Sequence, residues 1–585
     1  MSDSTKLDLE KRVLQHLNRI YADVLDKKNI KQLSNSLLEH VIETQNDMPL
    51  HITEDGESWS QNTIVMITYA DTIEDKNSLP INSINKFLKE YCADTFEIVH
   101  ILPFFPSSSD KGFSVKDYYS VYHQFGQWND ILRISKEFGV MADVVINHGS
   151  SESLWFKNFI KGEGKGSDYF LNFDEPFDTS KVVRPRTSDL LNPVETADGT
   201  KYIWCTFSKD QVDFDFKNPD VLIVFIKLIL FLQNKGIDFF RFDAVAFIWK
   251  RLDTSCINLD QTHAIVRLFR TILSYSNKCS KIITETNLPF HENLSYFGSS
   301  DEAQIIYNFS LAPLIINTLV KGNSAAFRRW SMSMPPAKDN NCYLNFLASH
   351  DGIGIRPLEG ILKEADLKIL LKTLKKFGSK FTYRNAKNNK KVIYEANISL
   401  FDCFSGTIKG KDNYAYKRFY NAHAIMFSFE GLPGLYIHSL FGTKNNFDLL
   451  KKTKLNRSIN RSSYYYEDLK KILNNTDAHG YKVFRNILNL IDIRKNQIAF
   501  HPNATQYTLN LGNNFFGIWR QSINKNQSIF AIYNITNKLQ KLNTKKINFL
   551  SLESWVDLVS LKEIDNKKSY LSFHPYQFMW ISNKH

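Results

Sequence analysis

The chain has 585 residues, of which 43% are hydrophobic and 14% are aromatic. This length is more than one hydrophobic core usually organises, so we expect roughly two to four domains, and the apolar content excludes a disordered chain. The formal net charge at pH 7 is +12. Because the lysines are spread along the chain, we attribute the charge to solvated side chains and predict neither a nucleic-acid nor a membrane partner.

Targeting and metal-binding signals are weak in this sequence. No segment reaches the roughly 18 consecutive apolar residues that a membrane-spanning helix needs, and the best candidate, residues 221–232, contains Lys227. The first eight residues lack the basic start and apolar stretch of a secretion signal. Six cysteines are scattered without a CxxC pair, which argues against a structural zinc site and fits reduced thiols. We therefore predict a cytoplasmic protein without a metal.

The predicted elements alternate between strands and helices after an N-terminal helical segment. Residues 1–55 are predicted to form a helical extension, because Leu9, Val13, Leu17 and Ile20 recur at helical spacing. Strands are predicted at 64–69, 98–104, 141–147, 238–244, 282–286, 305–309, 343–349 and 432–438, with helices such as 128–138, 218–234, 261–276 and 415–429 between them. This alternation predicts an α/β fold, a (β/α)8 TIM barrel formed by residues 56–148 and 218–500.

Two gaps in the alternation are too long for simple strand-to-helix connections. We assign residues 149–217, after the third strand, to an inserted subdomain, and residues 352–412, after the seventh strand, to a second insertion. From 501 to 585, short alternating runs predict a C-terminal β-sandwich. Because a TIM barrel carries its active site at the carboxyl ends of its strands, the loops after the strands are expected to build that site.

Four of the predicted strands end in polar side chains. The segment GIDFFRFDA at 236–244 carries Arg241 and Asp243, which point the same way because side chains alternate along a strand. The other three ends are Asn147-His148, Glu285 and His350-Asp351. Taken alone, the first pair could be a structural ion pair and each histidine a core residue. Four such ends on one face of a barrel favour an active site, in which Arg241 holds Asp243 ionised.

Two of these carboxylates suit the cleavage of a glycosidic bond with retained configuration. That reaction uses one carboxylate as nucleophile and another as acid/base, about 5 to 5.5 Å apart, and neighbouring barrel strands can provide this separation. Asp243 suits the nucleophile, whereas Glu285, which is less obviously paired, suits the proton donor with its raised pKa. The remaining strand-end residues, His148, His350 and Asp351, are expected to bind sugar hydroxyls.

These segments, in this order, resemble the four signature regions of the α-amylase family of retaining α-glucoside enzymes. The similarity is greater to one branch, the sucrose phosphorylases and their relatives. The segments that carry it are ITYAD at 67–71, LPFFPSSSDKGF at 102–113, RPR at 184–186, QVD at 211–213, RSINR at 457–461 and IR at 493–494. The resemblance covers residues 60 to 500, and PYQ at 575–577 agrees with it.

The resemblance implies a glycosyltransferase that acts as a phosphorylase by double displacement. Asp243 would be the nucleophile, Glu285 the acid/base and Asp351 the stabiliser of the transition state. The side chains around the glucosyl unit would be Asp110, His148, Arg241, His350 and Arg494, with an Asp-Arg pair over the far hydroxyl. The sugar would lie on Phe113 and Phe207 near Gln211, and Arg186 would bind phosphate. The implied partners are a small sugar substrate and inorganic phosphate, and no cofactor is required.

The chain departs from the sucrose phosphorylases at residues that recognise the acceptor. Asn287 stands where those enzymes usually carry histidine, Phe247 where they carry tyrosine, and ISLFD at 398–402 replaces LDLYQ. A changed hydrogen-bonding residue alters which acceptor hydroxyls are satisfied. Together with Lys444, these differences favour 2-O-α-glucosylglycerate as the substrate. Glucosylglycerol, sucrose 6-phosphate and sucrose remain alternatives.

Further alternatives stay open from the sequence. A plain hydrolase of the same fold would share the carboxylates but need no phosphate ligand, and a non-catalytic binding protein would need neither. Arg457 and Arg461 either hold a loop through salt bridges or contact phosphate. Trp249 and Lys250 either line the acceptor site or take part in packing.

Overall fold

The computed structural model describes residues 3–46, 59–338, 340–385, 391–549, 554–565 and 568–584. The predicted boundary between the N-terminal extension and the barrel, at residues 55 and 56, lies outside these ranges. Within them no helix combines the length and the apolar composition that a membrane crossing requires.

Eight parallel strands close into a barrel. They are β1 (Val65–Thr68), β2 (Ile98–Ile101), β3 (Gly139–Val145), β4 (Phe239–Asp243), β5 (Lys281–Thr284), β6 (Ile305–Tyr307), β7 (Cys342–Phe346) and β8 (Leu432–Tyr436). Each strand pairs with the next along the chain, and β8 pairs with β1 to complete the ring. The strand residues are nearly all buried, as expected for parallel strands covered on both faces. The predicted (β/α)8 barrel is confirmed.

Helices surround the barrel and run back between consecutive strands. The longer ones are Pro80–Tyr91, Trp128–Ser135, Pro219–Asn234, Asp260–Ser276, Leu311–Lys321, Ala325–Ser333, Ala415–Ser428, Tyr466–Asn474 and His479–Lys495. Shorter helices are Phe290–Leu294, Ile437–Leu440 and Phe447–Thr453. The helix before β4 shows why the boundaries fall where they do: Asn218 caps it by accepting from the N–H of Asp220, and Pro219 occupies its first turn.

The N-terminal segment forms two helices, α1 (Asp3–Tyr21) and α2 (Lys27–Asn46), that pack on the outside of the barrel. The Nε2 atom of His16 and the guanidinium of Arg12 each lie 3.1 Å from the hydroxyl of Thr271, on the helix before β5. The Tyr21 hydroxyl donates to the carbonyl of Phe216 at 3.0 Å. The apolar side chains of α1, Leu9, Val13, Leu17 and Ile20, belong to the main hydrophobic core.

Two insertions rise from the carboxyl end of the barrel. After β3, His148–Ser150 pairs with Gln211–Asp213, and Asn172–Phe173, Leu191–Thr196 and Gly199–Trp204 form a small sheet beside the helix Leu154–Lys161. After β7, Ile353–Gly354, Lys380–Asn385 and Lys391–Asn397 form a three-stranded sheet, and the helix Glu364–Lys376 connects the first two of these strands. The helix Leu400–Cys403 and the hairpin Gly406–Thr407 with Gly410–Lys411 follow the sheet. Both insertions follow the barrel strands after which the sequence predicts them.

The C-terminal region is antiparallel. Its strands are Thr505–Thr508, Phe515–Gln521, Ser528–Asn534, Gln540–Asn543, Trp555–Asp557, Lys562–Ile564, Tyr570–Phe573 and Phe578–Ser582. Six of them form one sheet, and Gln540–Asn543 with Tyr570–Phe573 forms a second. A separate apolar cluster, which includes Phe530, Trp555 and Phe573, contains residues of both sheets. This arrangement agrees with the predicted β-sandwich fold.

The packing of α1 predicts a measurable difference between two leucines on the same helix. Leu17 is 0% exposed and belongs to the main core, whereas Leu7 is 68% exposed. We expect Leu17→Ala to destabilise the protein by about 2 to 5 kcal/mol through lost contacts and a residual cavity. Leu7→Ala should change stability by less than about 0.5 kcal/mol. Thermal unfolding followed by circular dichroism compares them, and equal midpoints for the two variants would contradict the docking of α1.

Candidate active site

A cavity of about 510 Å³ opens at the carboxyl ends of the strands. Eleven of the sequence-predicted site residues line it: Asp110, Phe113, His148, Arg186, Phe207, Gln211, Asp243, Glu285, Asn287, His350 and Asp351. Six further lining residues are Ala244, Phe247, Thr286, Tyr394, Glu395 and Arg457. Arg241 lies immediately beneath the cavity. The structure therefore brings together every predicted site residue except Arg494.

Arg241 lies between two carboxylates in the floor of the cavity. The registry of β3 and β4 places it opposite Asp143, whose carboxylate it contacts through Nη1. The same Nη1 atom lies 2.8 Å from Oδ1 of Asp243. Asp143 is fully buried and also lies 2.8 Å from Nε2 of His100. Arg241 is itself only 2% exposed. It therefore forms a structural ion pair with Asp143 and also supports Asp243, whose carboxylate faces the cavity.

Glu285 lies beside Asp243 on the neighbouring strand. Its backbone N–H donates to the carbonyl of Phe242, and its side chain accepts from the N–H of Ala244 at 3.1 Å. Ala244 has a left-handed backbone (φ +52°), which turns this N–H toward the glutamate. Burial raises the pKa of Glu285, and the charge of Asp351 raises it further.

Asp243 and Glu285 titrate as a pair. Burial also raises the pKa of Asp243, and repulsion between the two carboxylates opposes the doubly ionised state. Only Asp243 has a direct ion pair with Arg241. We therefore place the charge of the pair on Asp243 and its proton on Glu285, the partition that a nucleophile and an acid require.

Asp351 is held by two arginines of the RSINR segment. Its Oδ1 atom lies 2.7 Å from Nη1 of Arg457 and 4.0 Å from Nη2 of Arg461. Burial alone would raise the pKa of Asp351, but the charges of Arg457 and Arg461 hold it well below its usual range. Asp351 is therefore ionised next to the glutamate that carries a proton.

The same arginines replace Arg494 as partners of Asp110. Arg457 and Arg461 lie 3.6 Å and 3.7 Å from the carboxylate of Asp110, so both contact site carboxylates and neither is only a loop brace. Arg457 also forms a two-pronged contact with Glu395, which is 1% exposed.

The prediction that Arg494 contacts the sugar is wrong. Arg494 is fully buried and donates to the carbonyls of Gln61, Phe427 and Phe500. It lies in the last turn of its helix, which ends near the amino ends of the strands, because Gln61 precedes β1 and Phe427 precedes β8. The cavity is at the opposite end of the barrel. Lys444, which favoured an anionic acceptor, is exposed and is not among the lining residues.

One wall of the cavity is aromatic and closely hydrogen bonded. The ring of His350 stacks on Phe113 with centroids 4.8 Å apart and an interplanar angle of 7°. Nε2 of His148 lies 3.0 Å from the carbonyl of Phe113, and Gln211 donates to that carbonyl at 3.2 Å. The ring of Phe207 lies 5.1 Å from that of His148. This wall offers an apolar face with hydrogen-bonding groups at its edge, as sugar rings require.

The adjoining part of the cavity wall holds an arginine between two aromatic rings. The guanidinium of Arg186 lies 5.5 Å from the ring of Phe207 and 5.8 Å from the ring of Tyr394. No carboxylate in the described ranges lies within ion-pair distance of it. The Tyr394 hydroxyl accepts from Nδ2 of Asn287 at 2.8 Å, while Oδ1 of Asn287 is buried without a hydrogen-bond partner among the described residues. A cation without a carboxylate partner among the described residues thus faces the cavity.

Tyr394 and Glu395 are the site residues that the sequence analysis missed. Both lie on the strand Lys391–Asn397 of the second insertion, where no motif marks them. Burial raises the pKa of Tyr394, so its phenol is neutral and can hydrogen bond in either sense. The only available signal was the position of this strand after β7, since loops at that end build the site.

The opposite pKa shifts of Glu285 and Asp351 predict opposite effects of two isosteric variants. The pKa of Glu285 is higher in the folded state than in the unfolded state. The contribution of Glu285 to the stability of the fold is therefore fully present below about pH 4 and is lost as the pH rises. Glu285→Gln should therefore raise the unfolding midpoint at pH 7 by about 2 °C or more, and the gain should vanish near pH 4.

For Asp351 the pKa shift, and with it the pH dependence of stability, has the opposite sign. Its lowered pKa contributes stability above about pH 4 that is lost as the pH falls. Asp351→Asn should lower the midpoint at pH 7, and the loss should shrink in acid. Differential scanning fluorimetry across this pH range measures both variants. A shift of the same sign for both at pH 7 would contradict the assignment of charge and proton.

Comparison with known proteins agrees with this geometry. The profile of the alpha-amylase catalytic domain matches residues 86–360. Glucosylglycerate phosphorylase of Escherichia coli (strain K12) is 33% identical over 98% of this chain and 100% of its own length. The enzyme of that name from Spirochaeta thermophila is 36% identical over 88% of this chain and 89% of its own.

A solved structure supports the fold. The crystal structure of sucrose 6F-phosphate phosphorylase from Thermoanaerobacter thermosaccharolyticum superposes with a TM-score of 0.70 at 23% identity, covering 81% of this chain and 94% of that chain. The overall fold is thus shared with that structure. The chain belongs to the α-amylase family, in the branch that contains the sucrose phosphorylases and the glucosylglycerate phosphorylases.

Proposed function

We propose that this protein is a retaining phosphorylase that cleaves 2-O-α-glucosylglycerate with inorganic phosphate to give α-glucose 1-phosphate and glycerate. One observation carries the proposal. The same cavity contains the Asp243 and Glu285 carboxylates and the guanidinium of Arg186, which has no carboxylate partner among the described residues. A hydrolase needs the carboxylates alone. A phosphate dianion needs fixed cationic donors, and a guanidinium presents them in a planar array.

The first displacement would form a glucosyl ester. Asp243 attacks the anomeric carbon, the bond from that carbon to the glycerate oxygen breaks, and Glu285 gives its proton to the departing oxygen. Arg241 supports this step by holding Asp243 ionised. The ionised Asp351 would stabilise the positive charge that develops on the sugar in the transition state.

The second displacement would reverse these roles. A phosphate oxygen attacks the anomeric carbon, the ester bond to Asp243 breaks, and Glu285 takes the proton of the attacking phosphate. Two inversions return the α configuration. The glucosyl unit would remain bound throughout by Asp110 with its two arginines, by His148 and His350, and by the face of Phe113.

The identity of the acceptor rests on the wall formed by Arg186, Asn287 and Tyr394. Glycerate and phosphate are both anions and would occupy this wall in turn, so one guanidinium can serve both half-reactions. Asn287 lines this wall, and its side-chain nitrogen donates to the Tyr394 hydroxyl. Two relatives that match most of this chain bear the name glucosylglycerate phosphorylase. Glucosylglycerol, sucrose 6-phosphate and sucrose remain the alternative substrates.

The acceptor assignment is tested in the synthetic direction. With α-glucose 1-phosphate as donor, we expect phosphate release to be fastest with glycerate, slower with glycerol and slowest with fructose, because only glycerate pairs with Arg186. Phosphate release is measured colorimetrically, and the product is identified by NMR. A clear preference for fructose, or glucose as the main product with every acceptor, would reject the assignment.

Replacement of Arg186 separates phosphorolysis from hydrolysis. Arg186→Leu removes the charged donors, so we expect KM for phosphate and glycerate to rise by about 10- to 100-fold, the cost of a lost charge-assisted hydrogen bond. Water should then intercept more of the glucosyl enzyme. The ratio of glucose to glucose 1-phosphate reports this change.

The rate at which the Arg186 variant cleaves α-glucosyl fluoride without an added acceptor is the internal control. It should stay within a few fold of the native rate, because the glucosyl subsite is intact. A variant with an unchanged KM for phosphate would contradict the role of Arg186.

A further inference from the structure

Lys250 lies buried beneath the cavity wall that carries His148. It follows β4 by a short loop, is 6% exposed, and does not line the cavity. Its ammonium donates to Oδ1 of Asn147 at 2.9 Å and lies 2.8 Å from Oδ2 of Asp213. Asn147 ends a barrel strand, whereas Asp213 belongs to the first insertion, so this ammonium joins the two parts of the fold directly behind the site.

The ammonium and the Asp213 carboxylate together determine how the Asn147 amide is oriented. Lysine has donors and no acceptor, so the oxygen of the amide must face it. The amide nitrogen then faces the other way, 3.0 Å from Oδ2 of Asp213 and 3.3 Å from Nδ1 of His148. Since that nitrogen is a donor, Nδ1 of His148 acts as the acceptor.

The orientation of Asn147 in turn determines which nitrogen of His148 carries the proton. Burial lowers the pKa of His148, so the ring is neutral and has one N–H. With Nδ1 accepting, the proton is on Nε2, which lies 3.0 Å from the carbonyl of Phe113 at the cavity wall. The other tautomer would place a lone pair against that carbonyl. The amide nitrogen of Gln211 lies 3.1 Å from the same Nε2 atom and donates to the Phe113 carbonyl instead.

We propose that Lys250 is a positioning residue that, together with Asp213, orients Asn147 and so fixes the tautomer of His148, whose Nε2–H is thereby anchored on the Phe113 carbonyl beside the glucosyl unit. The inference rests on the proposed function for the identity of that ligand. It also decides between the two sequence-based alternatives for this segment: Trp249 packs, with its ring 6.1 Å from Tyr21 of α1, and Lys250 acts from behind the site. Helix α1 thereby supports the loop that delivers the ammonium.

A purely structural role is the competing explanation, because Lys250 also neutralises the fully buried Asp213. The two explanations differ in what they predict for His148. If Lys250 only neutralised Asp213, its loss would harm the enzyme by the same factor whatever residue occupies position 148. If it acts through the tautomer of an imidazole, a side chain without tautomers should be insensitive to it.

The test is a double-mutant cycle on the cleavage of α-glucosyl fluoride, a probe that needs no acceptor. We expect Lys250→Met to lower kcat/KM by about 10- to 100-fold, the size of effect that outer-shell partners of ligating histidines have. In a His148→Gln background, whose carboxamide always carries N–H groups, the same replacement should cost less than about 3-fold. Equal losses in both backgrounds would overturn the proposal.

Two further variants guard against a folding artefact. Asn147→Leu breaks the link to His148 while leaving the Lys250–Asp213 pair, and it should reproduce the loss caused by Lys250→Met. Lys281→Met is the matched control: Lys281 is 8% exposed and donates to the carbonyl of Lys278 at the start of β5, far from the cavity. It should lower the unfolding midpoint without changing kcat/KM.

The outcomes also separate this proposal from the proposed function. A native enzyme that cleaves no α-glucosyl donor would reject the function itself. A native enzyme that cleaves the fluoride, together with an Asn147→Leu variant of native activity, would reject only the role of Lys250.

Discussion

The ion pair of Arg241 with Asp143 and Asp243 is the interaction on which the rest of the site depends. A guanidinium that is 2% exposed has lost nearly all of its hydration, and it remains charged because carboxylates on two sides replace that water. The pairing follows from the register of β3 and β4, which sets Arg241 opposite Asp143. The register of β3 and β4 therefore places Arg241 where it keeps the Asp243 carboxylate ionised at the cavity.

The remaining carboxylates acquire different protonation states from their neighbours. Asp351 is surrounded by arginines of the RSINR segment and is ionised. Glu285 accepts a backbone N–H and has no arginine within ion-pair distance among the described residues, so burial dominates and it keeps its proton. Two acidic groups close together thus differ in charge, which is the condition for one to act as an acid while the other stabilises a cation.

The sequence predicts the barrel well because each parallel strand is a short apolar run bounded by turn residues, and the polar group that follows marks its carboxyl end. The role of Arg494, which the family resemblance implied, does not follow from such a pattern. A helix that follows a barrel strand runs back toward the amino ends, so a residue in its last turn cannot reach a site at the carboxyl ends. Tyr394 and Glu395 were missed for another reason: they lie in an insertion whose fold depends on contacts with distant loops.

Those contacts connect the insertion after β7, which carries Tyr394 and Glu395, to the carboxylates at the strand ends. The loop after β7 pairs with the insertion through Gly354 opposite Glu395, and the N–H of Ile355 donates to the carbonyl of Tyr394. Glu395 then binds Arg457, which holds Asp351. The wall that we propose binds the acceptor is thus connected to Asp351 through segments outside the barrel strands. Substitutions in the insertion can change which acceptor hydroxyls are satisfied without moving the strands that carry Asp243 and Glu285, so one barrel can serve several acceptors.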